Sequence, residues 1–300
     1  MTTSTVENRE DQTTSVSVGE TARRAVIRAP RVGLYTVLIV YSLISLAPFV
    51  FAIIASFETY AQVLTTPPTF IPHPFVLGNY QEIFTNHEFY FLNYITNSLI
   101  YAIGAAIFNV LLGAMAGYAF GRMEFPFKNL LFGLTLAVMM IPGYLIIVPK
   151  FLVADNLHLV NSMAALIVPA LVSPTSVFLM TQFLKTLPRE LEESARIDGA
   201  SQLRIFWQVI LPLTRPALTA VGLFAFQGAW NDFLWPLLVS SSPTQYTLTV
   251  GLTFFKGAHY TQYNLLLAGA TLNILPLVIL FFIFQRYFIS GISTAGLGGR

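Results

Sequence analysis

The few side chains of this 300-residue chain that could do chemistry lie inside long apolar stretches. Gln227, Trp230, Asn231 and Asp232 fall in one stretch, and Asn273 falls in another. Such polar groups are costly in hydrocarbon and therefore face protein or water. Amide and carboxylate groups beside an indole ring suit the hydroxyl groups of a sugar, so these residues are candidates for lining a solute pathway.

The same residues have a structural alternative. Amide side chains also form hydrogen bonds between membrane helices, and tryptophan anchors helices at the membrane surface. For Asn109 and Asn273 the interhelical role is favoured. For Gln227, Asn231 and Asp232 both roles stay open, because Gln227 and Asn231 share a helix face next to the one carboxylate inside an apolar run.

Residue patterns for enzymatic chemistry are missing from the sequence. There is no cysteine, and the spacing of the histidines brings no two of them together on a helix face. The sequence contains no phosphate-binding G-x-x-x-x-G-K-[ST], no H-E-x-x-H and no serine elbow. We therefore predict a protein that is not an enzyme, with no catalytic residue, no metal site and no cofactor of its own. The histidines, expected in outer loops, are His73, His87, His158 and His259.

Apolar runs long enough to cross a membrane dominate the chain. Hydrophobic residues make up 55% and charged residues 10% of the sequence, whereas soluble domains carry about a quarter charged residues. A spanning helix needs about 20 apolar residues. We predict an all-α polytopic membrane protein with six transmembrane helices. The runs are residues 34–57, 94–120, 130–153, 163–183, 217–240 and 264–288.

The basic residues indicate the orientation of these helices. Of the 16 lysines and arginines, only Lys150 and Lys256 fall on one side of the six-helix arrangement. Because cytoplasmic loops are enriched in Lys and Arg, we predict that both termini are cytoplasmic. Residues 1–32 have the composition of a disordered cytoplasmic tail, which leaves residues 33–300 as the transmembrane domain. A net charge of +2 gives no reason to expect nucleic acid as a partner.

The longest predicted cytoplasmic loop, residues 185–216, favours two short helices. Three glutamates suit the first turn of the first helix, and Gly199, after Asp198, suits its end. Ser201 can cap the second helix. We expect the apolar face of the second helix to lie against the membrane side, although a solvated connector is the alternative. The residues of that face are Ile205, Phe206, Val209 and Ile210.

The order of residues in this loop resembles the EAA motif of permease subunits of binding-protein-dependent ABC importers. That motif reads E-A-A-x3-G-x9-I-x-L-P, and segments 193–195, 199 and 209–212 of this chain have the same spacing, with Ser194 in place of alanine and Val209 in place of isoleucine. The resemblance implies that the loop docks a short helix into a cleft of an ATPase subunit. The residues it assigns to coupling are Glu193, Ser194, Ala195, Asp198, Gly199, Leu211 and Pro212.

The resemblance covers about residues 34–296 and points to the carbohydrate-uptake class, in particular to its maltose-type second permease. Segment 230–236, Trp-Asn-Asp-Phe-Leu-Trp-Pro, is its most specific part outside the loop. Residues 296–300, Gly-Leu-Gly-Gly-Arg, depart from the family's Gly-Ala-Val-Lys-Gly. The resemblance therefore assigns no role to the end of the chain or to the N-terminal tail.

The resemblance implies a type I ABC importer permease bundle with a cytoplasmic coupling helix, in a prokaryotic inner or plasma membrane. Such a subunit forms half of the pathway for a sugar or related polyol. The implied partners are a second homologous permease, two ATPase subunits that bind ATP and Mg, and an extracytoplasmic solute-binding protein. The alternatives are a permease for a glycerol phosphate, a secondary transporter and a membrane-embedded enzyme.

The predicted outer loop, residues 241–263, has two interpretations. Its polar residues and glycines are typical of a flexible hinge between two spans. The family resemblance implies instead that the loop reaches into the docked binding protein, where Gln245, Tyr246 and Tyr260 would compete for hydrogen bonds made by the sugar.

Overall fold

The computed structural model describes residues 11–257 and 260–295, with side chains over 32–257 and 260–285. Within that part of the chain all regular elements are helical, apart from one isolated antiparallel bridge between Lys256 and Thr261. The α-helices are α1 Asp11–Ala55, α2 Tyr60–Val63, α3 Gly78–Thr85, α4 Phe91–Arg122, α5 Lys128–Met139, α6 Ile147–Asn156, α7 Met163–Ile167, α8 Pro174–Thr186, α9 Glu190–Ile197, α10 Gln202–Arg204, α11 Leu211–Leu213, α12 Arg215–Trp230, α13 Leu234–Val239, α14 Leu248–Gly251 and α15 Tyr263–Ala295.

Four helical segments in the described residues are long and apolar enough to cross a membrane, and two bent helix pairs bring the number to as many as six. The bent pairs are Lys128–Met139 with Gly143–Asn156, at 97°, and Gln202–Leu213 with Arg215–Trp230, at 80°. The long segments are Val32–Ala55, Phe91–Arg122, Met163–Thr186 and Tyr263–Gln285. Each of the six predicted apolar runs overlaps one of these segments or pairs, and the orientation of the helices stays a prediction.

The third apolar run is a bent pair and not a straight helix. Helix α5 ends at Met139, Pro142 follows, and a 3₁₀ turn over Gly143–Ile146 leads into α6. Proline lacks an N–H, and its ring clashes with the carbonyl four residues earlier, so Pro142 favours a bend or break at this position. The run contains enough apolar residues for one span, but its backbone changes direction halfway.

The fifth apolar run is also interrupted, which corrects the predicted span over 217–240. Helix α12 ends at Trp230, and α13 begins at Leu234. The break places Pro236 in the first turn of α13, where its missing N–H costs no helical hydrogen bond. Asn231 and Asp232 therefore lie in a helix break and not on a helix interior.

Helix α1 extends further towards the N-terminus than the sequence predicts. It begins at Asp11, so residues 11–32, expected to be a disordered tail, have helical backbone. A membrane helix supplies a formed nucleus, and adding residues to an existing helix avoids the cost of nucleation. The remainder of the predicted tail, residues 1–10, lies outside the described residues, as do His259 and residues 296–300.

A row of glycines brings α4 and α8 into close contact. Gly113, Gly117 and Gly121 follow one another at intervals of four residues on α4. A Cβ atom added at Gly117 would lie 2.5 Å from the Cβ of Met180 on α8, and one at Gly113 would lie 3.1 Å from the Cβ of Ser176. Small residues at this spacing let two membrane helices pack backbone against backbone. The α4–α8 pair forms the centre of the bundle.

Two separate apolar clusters hold the helices together. One lies around the buried side chains of Tyr94, Trp230 and Phe255, where α4, α12 and the segment before α15 meet. The other surrounds Met180 and Ile210 and joins α4 and α8 to the loop after α9. The second cluster fixes that loop to the membrane helices, which positions the candidate site.

Candidate functional site

The loop after α8 contains the first predicted helix, α9, with the predicted glycine end. Gly199 has φ of 79°, the left-handed conformation that glycine adopts without strain. The Gly199 N–H donates to the Arg196 carbonyl, and the Ala200 N–H donates to the Ala195 carbonyl, each at 3.0 Å. These two bonds form a Schellman motif that ends α9 and satisfies its last carbonyls. The glycine prediction is confirmed.

The second predicted helix also forms, and its apolar face is buried. The Ser201 hydroxyl accepts a hydrogen bond from the Arg204 N–H at 3.4 Å and caps the helix. A π-helical turn over Ile205–Ile210 follows. Ile205 and Ile210 are fully buried, and the Phe206 ring packs 5.1 Å from that of Tyr118 on α4. The expected contact of this face with the membrane helices is confirmed.

An ion pair that sequence reasoning missed holds α9 in place. Arg122, the last residue of α4, donates from Nε to Glu192 Oε1 at 2.6 Å, and both side chains are buried. The Arg122 guanidinium also donates to the carbonyls of Leu187 and Pro188, at 2.9 and 2.8 Å. From the sequence alone, Arg122 is interpreted only as one of the basic residues on the predicted cytoplasmic side. The signal available was an arginine at a helix end opposite a glutamate beside the motif.

The residues of the EAA-like motif divide into an exposed and a packed group. Glu193, Ser194, Asp198 and Gly199 are exposed, whereas Ala195 is half-buried against the second cluster. In the second half of the motif Leu211 is half-buried in the same cluster and Pro212 is exposed. The exposed group, together with Ile197 at 87% exposure, forms a free face on α9 that we name the coupling face. Its small residues permit close approach by another protein, and its carboxylates attract basic groups.

The predicted pathway residues on α12 do not form one group. Gln227, Gly228 and Asn231 are exposed, and their spacing places them on one side of the helix. We name this side the polar face of α12. Trp230 points the other way, is fully buried and donates from Nε1 to the backbone carbonyl of Asn273 at 3.0 Å.

Asn273 makes its interhelical bond through the backbone and not through its amide. Its carbonyl accepts the bond from Trp230. Its buried side-chain Oδ1 has no hydrogen-bond partner within the described part of the chain. By contrast Asn109 forms the interhelical bonds predicted for it. Its Nδ2 donates to the Ala170 carbonyl at 2.7 Å, and its Oδ1 accepts from the Ser173 N–H at 2.8 Å.

Asp232 is half-buried and is joined to a neighbouring helix. Its Oδ2 accepts a hydrogen bond from the Tyr101 hydroxyl of α4 at 3.0 Å. Lys150 of α6 places its Nζ 3.8 Å from the centre of the Trp235 ring, three residues after Asp232. The sequence predicts Lys150 only as an outer charge, because a contact between residues 85 positions apart leaves no local pattern.

The outer loop is folded against the bundle, which corrects the interpretation as a flexible hinge. Asn97 of α4 donates from Nδ2 to the carbonyls of Thr244 and Tyr246, at 2.8 and 3.0 Å. Ser98 Oγ accepts from the Leu248 N–H at 2.7 Å. These bonds attach the backbone of Thr244, Tyr246 and Leu248 to α4.

The three residues singled out in this loop are separated. Gln245 and Tyr246 are half-buried where the loop meets α4. Tyr260 is 61% exposed next to the bridge between Lys256 and Thr261, and the centre of its ring lies 6.4 Å from that of the Tyr60 ring. Of the three, Tyr260 is the one whose side chain is mostly exposed. In the described residues no three His, Cys, Asp or Glu side chains are grouped for metal binding.

The helical bundle with a helix presented on a loop between two spans is the architecture of an ABC importer permease. Over residues 109–294 the chain matches the family described as binding-protein-dependent transport system inner membrane component. The chain belongs to this family. It is a permease subunit of an ABC importer, a multi-pass protein of the inner membrane, and not itself an enzyme; membership implies ATPase and solute-binding partners.

Similar proteins extend over most of the chain. It is 37% identical over 258 residues to the arabinooligosaccharides transport system permease protein AraQ of Halalkalibacterium halodurans, over 85% of this chain and 92% of that protein. It is 34% identical over 265 residues to the sn-glycerol-3-phosphate transport system permease protein UgpE of Yersinia pestis bv. Antiqua, over 86% of this chain and 94% of that protein. A chain in the crystal structure of a bacterial ABC transporter involved in the import of the acidic polysaccharide alginate matches with a TM-score of 0.74 and 20% identity, over 95% of this chain and 100% of that chain, which shows the fold.

Proposed function

We propose that this chain forms half of the translocation pathway for a sugar or related polyol that a solute-binding protein delivers. A second homologous permease supplies the other half, and two ATPase subunits bind ATP and Mg on the cytoplasmic side. The observation that carries the proposal is the coupling face of α9, which is exposed although the helix itself is fixed to α4 by the buried Arg122–Glu192 pair.

The contacts that fix α9 to the membrane helices support mechanical coupling. Closure of the ATPase subunits on ATP moves whatever is docked in their clefts. Because Arg122 and the second apolar cluster join α9 to α4, α8 and α12, a displacement of α9 is passed to these helices and not absorbed by a loose loop. The membrane helices then switch between an inward-facing and an outward-facing arrangement, and the chain takes no part in ATP chemistry.

The polar face of α12 is the part of the chain that we assign to the pathway. An exposed Gln227 and Asn231 on a membrane helix are costly against lipid, so they face water or protein. Amide groups donate and accept hydrogen bonds at once, as a sugar hydroxyl does. The similarity to a permease for arabinooligosaccharides supports a carbohydrate as the solute.

A glycerol phosphate is the second candidate solute, because the similarity to a permease for sn-glycerol-3-phosphate covers as much of the chain. The two candidates differ in charge. The polar face of α12 presents amides and no basic group among its described residues, which favours a neutral solute. An anionic solute would need a cation from the partner permease.

Reconstitution tests the proposal. The chain is purified with the second permease, ATPase and binding protein from the same organism and placed in vesicles that contain ATP. We expect uptake of an arabinooligosaccharide that depends on both the binding protein and ATP. Uptake of glycerol phosphate in its place would select the second candidate. Uptake that is driven by an ion gradient without ATP would refute both.

A further inference from the structure

Four side chains from three separate elements meet at the predicted outer end of the bundle. Lys150 of α6 lies on the Trp235 ring of α13 with its Nζ 3.8 Å from the ring centre. Asp232, in the break before α13, accepts a hydrogen bond from Tyr101 of α4 at 3.0 Å. The Trp235 Nε1 donates to the Ala165 carbonyl of α7 at 3.0 Å, so the ring itself is fixed.

The two opposite charges of this cluster attract each other. Lys150 and Asp232 are both half-buried, and each lies within electrostatic range of the other. They are not joined by a direct bond in the described structure, where the ammonium rests on the indole face. Burial of charges in an apolar segment is costly, and a cluster of this kind persists where it serves a function.

The cluster lies beside two interruptions of the helical backbone. Lys150 follows the 97° bend of the third run, and Asp232 lies in the break between α12 and α13. The residue before Asp232 is Asn231, at the end of the polar face of α12. The cluster therefore joins the end of the assigned pathway to α6 and α13, the two helices that follow the bend and the break.

We propose that Lys150 is a positioning residue that locks the outer end of the pathway. Its contact with Trp235, beside the opposite charge of Asp232, ties α6 to α13 in the arrangement of this structure, and the pathway opens outward when Lys150 leaves the Trp235 ring. The inference rests on the proposed function. A half-buried cation–π contact shifts an equilibrium by about tenfold, which is strong enough to bias two states and weak enough for the transport cycle to overcome.

The experiment uses the absence of cysteine from the sequence. A Gln227→Cys reporter on the polar face of α12 is introduced into the complete transporter, and a membrane-impermeant maleimide is applied from outside. We expect Lys150→Gln to accelerate labelling by about tenfold and to raise ATP hydrolysis in the absence of the binding protein, because the outward-open state gains population. Lys150→Arg, which keeps a cation that stacks on tryptophan, should restore slow labelling.

Lys128→Gln is the matched control. Lys128 also contacts a carboxylate, Glu124, at 3.0 Å, but outside the bundle and on the predicted cytoplasmic side. It should leave both readouts at the parental level. Labelling and ATP hydrolysis at parental rates in Lys150→Gln overturn the lock, and so does a lower amount of inserted protein with an unchanged rate per molecule, which marks a purely structural role.

A second variant decides the matter if Lys150→Gln does not insert. Asp232→Asn removes the attraction while keeping the shape of the side chain, and faster labelling supports the lock whereas parental labelling overturns it. Failure of the proposed function looks different. In that case the unmodified complex shows no uptake driven by ATP, whatever the labelling rates of the variants.

Discussion

Arg122 and Glu192 join the C-terminal end of α4 to α9 through a buried contact of 2.6 Å between Nε and Oε1. Their neighbour Glu193 points away and is exposed. Of two adjacent glutamates, Glu192 is thus used within the chain, and Glu193 is the one that the proposed function assigns to a partner.

The buried pair predicts a loss of stability when one charge is removed. We expect Glu192→Ala to lower the free energy of unfolding by about 3–5 kcal/mol, because it leaves the Arg122 guanidinium buried without its counter-ion. Thermal unfolding of the purified transporter in detergent measures the effect. Glu193→Ala is the control, and it should unfold with the parental complex while binding the ATPase less well. Equal unfolding temperatures for both variants would show that the pair has no anchoring role.

We expect glycine to be required at position 199 for its backbone conformation and not for lack of space. An added Cβ would meet no described atom within 4 Å, but φ of 79° costs a residue with a side chain about 1–2 kcal/mol. We expect Gly199→Ala to reduce uptake moderately and Gly199→Asp, which adds a charge at the coupling face, to abolish ATP-driven uptake in protein that still inserts. Gly133→Ala on α5, where space is also open, should transport normally. Parental uptake by Gly199→Asp would make the loop a simple connector.

At position 117, by contrast, we expect glycine to be required because there is no space for a side chain. A Cβ at this position would lie 2.5 Å from the Cβ of Met180, so alanine forces α4 and α8 apart at a cost of about 1–3 kcal/mol. Size-exclusion chromatography after mild heating should show earlier loss of the assembled complex for Gly117→Ala than for Gly133→Ala. Identical loss curves would mean that the two helices are able to move apart at no cost.

The orientation of the helices is open to a direct test. If both termini are cytoplasmic, Tyr260→Cys reacts with an impermeant maleimide in intact cells and Ser201→Cys reacts only after the membrane is opened. Both positions are exposed, so access to the reagent depends on the side of the membrane alone. The reverse pattern contradicts the predicted topology.

In the outer loop, we expect Phe255 to contribute to packing and Tyr260 to contribute to recognition. Phe255 is buried at 1% exposure, and Phe255→Ala should destabilise the transporter by about 3–5 kcal/mol. Tyr260→Ala should leave unfolding unchanged and reduce uptake, because the Tyr260 side chain is mostly exposed. Binding-protein-dependent ATP hydrolysis and uptake, measured on the same vesicles, distinguish the two roles. If Tyr260→Ala transports at the parental rate, Tyr260 makes no contribution to recognition.

Local patterns predicted most of the elements. Apolar runs placed the membrane helices, Gly199 ended α9 and Ser201 began the next helix, because each of these signals acts within a few residues. Counting apolar residues did not reveal the bend after α5 or the break after Trp230, since hydropathy records what surrounds a helix and not its direction.

Local sequence patterns could not predict contacts between residues that are far apart in the chain. Arg122 and Glu192 are 70 positions apart, and Asn97 and Thr244 are 147 apart. The sequence shows each of these residues as a charge or amide with several potential partners, and only the packing of α4 selects one. For the same reason the outer loop resembled a hinge until its bonds to Asn97 and Ser98 were visible.

Helix α4 runs for 32 residues without a proline, whereas the third and fifth runs are broken. From Tyr101, about a third of the way along, to Arg122 at its C-terminal end, it extends for about 32 Å at a rise of about 1.5 Å per residue. A continuous helix does not stretch, so under the proposed function α4 is a lever that joins the Asp232 cluster to α9. Thermodynamic reciprocity then applies to the two ends of α4. An outer contact that favours one tilt of the helix must change the affinity of α9 for the ATPase by the same factor by which ATPase binding changes the affinity of that outer contact.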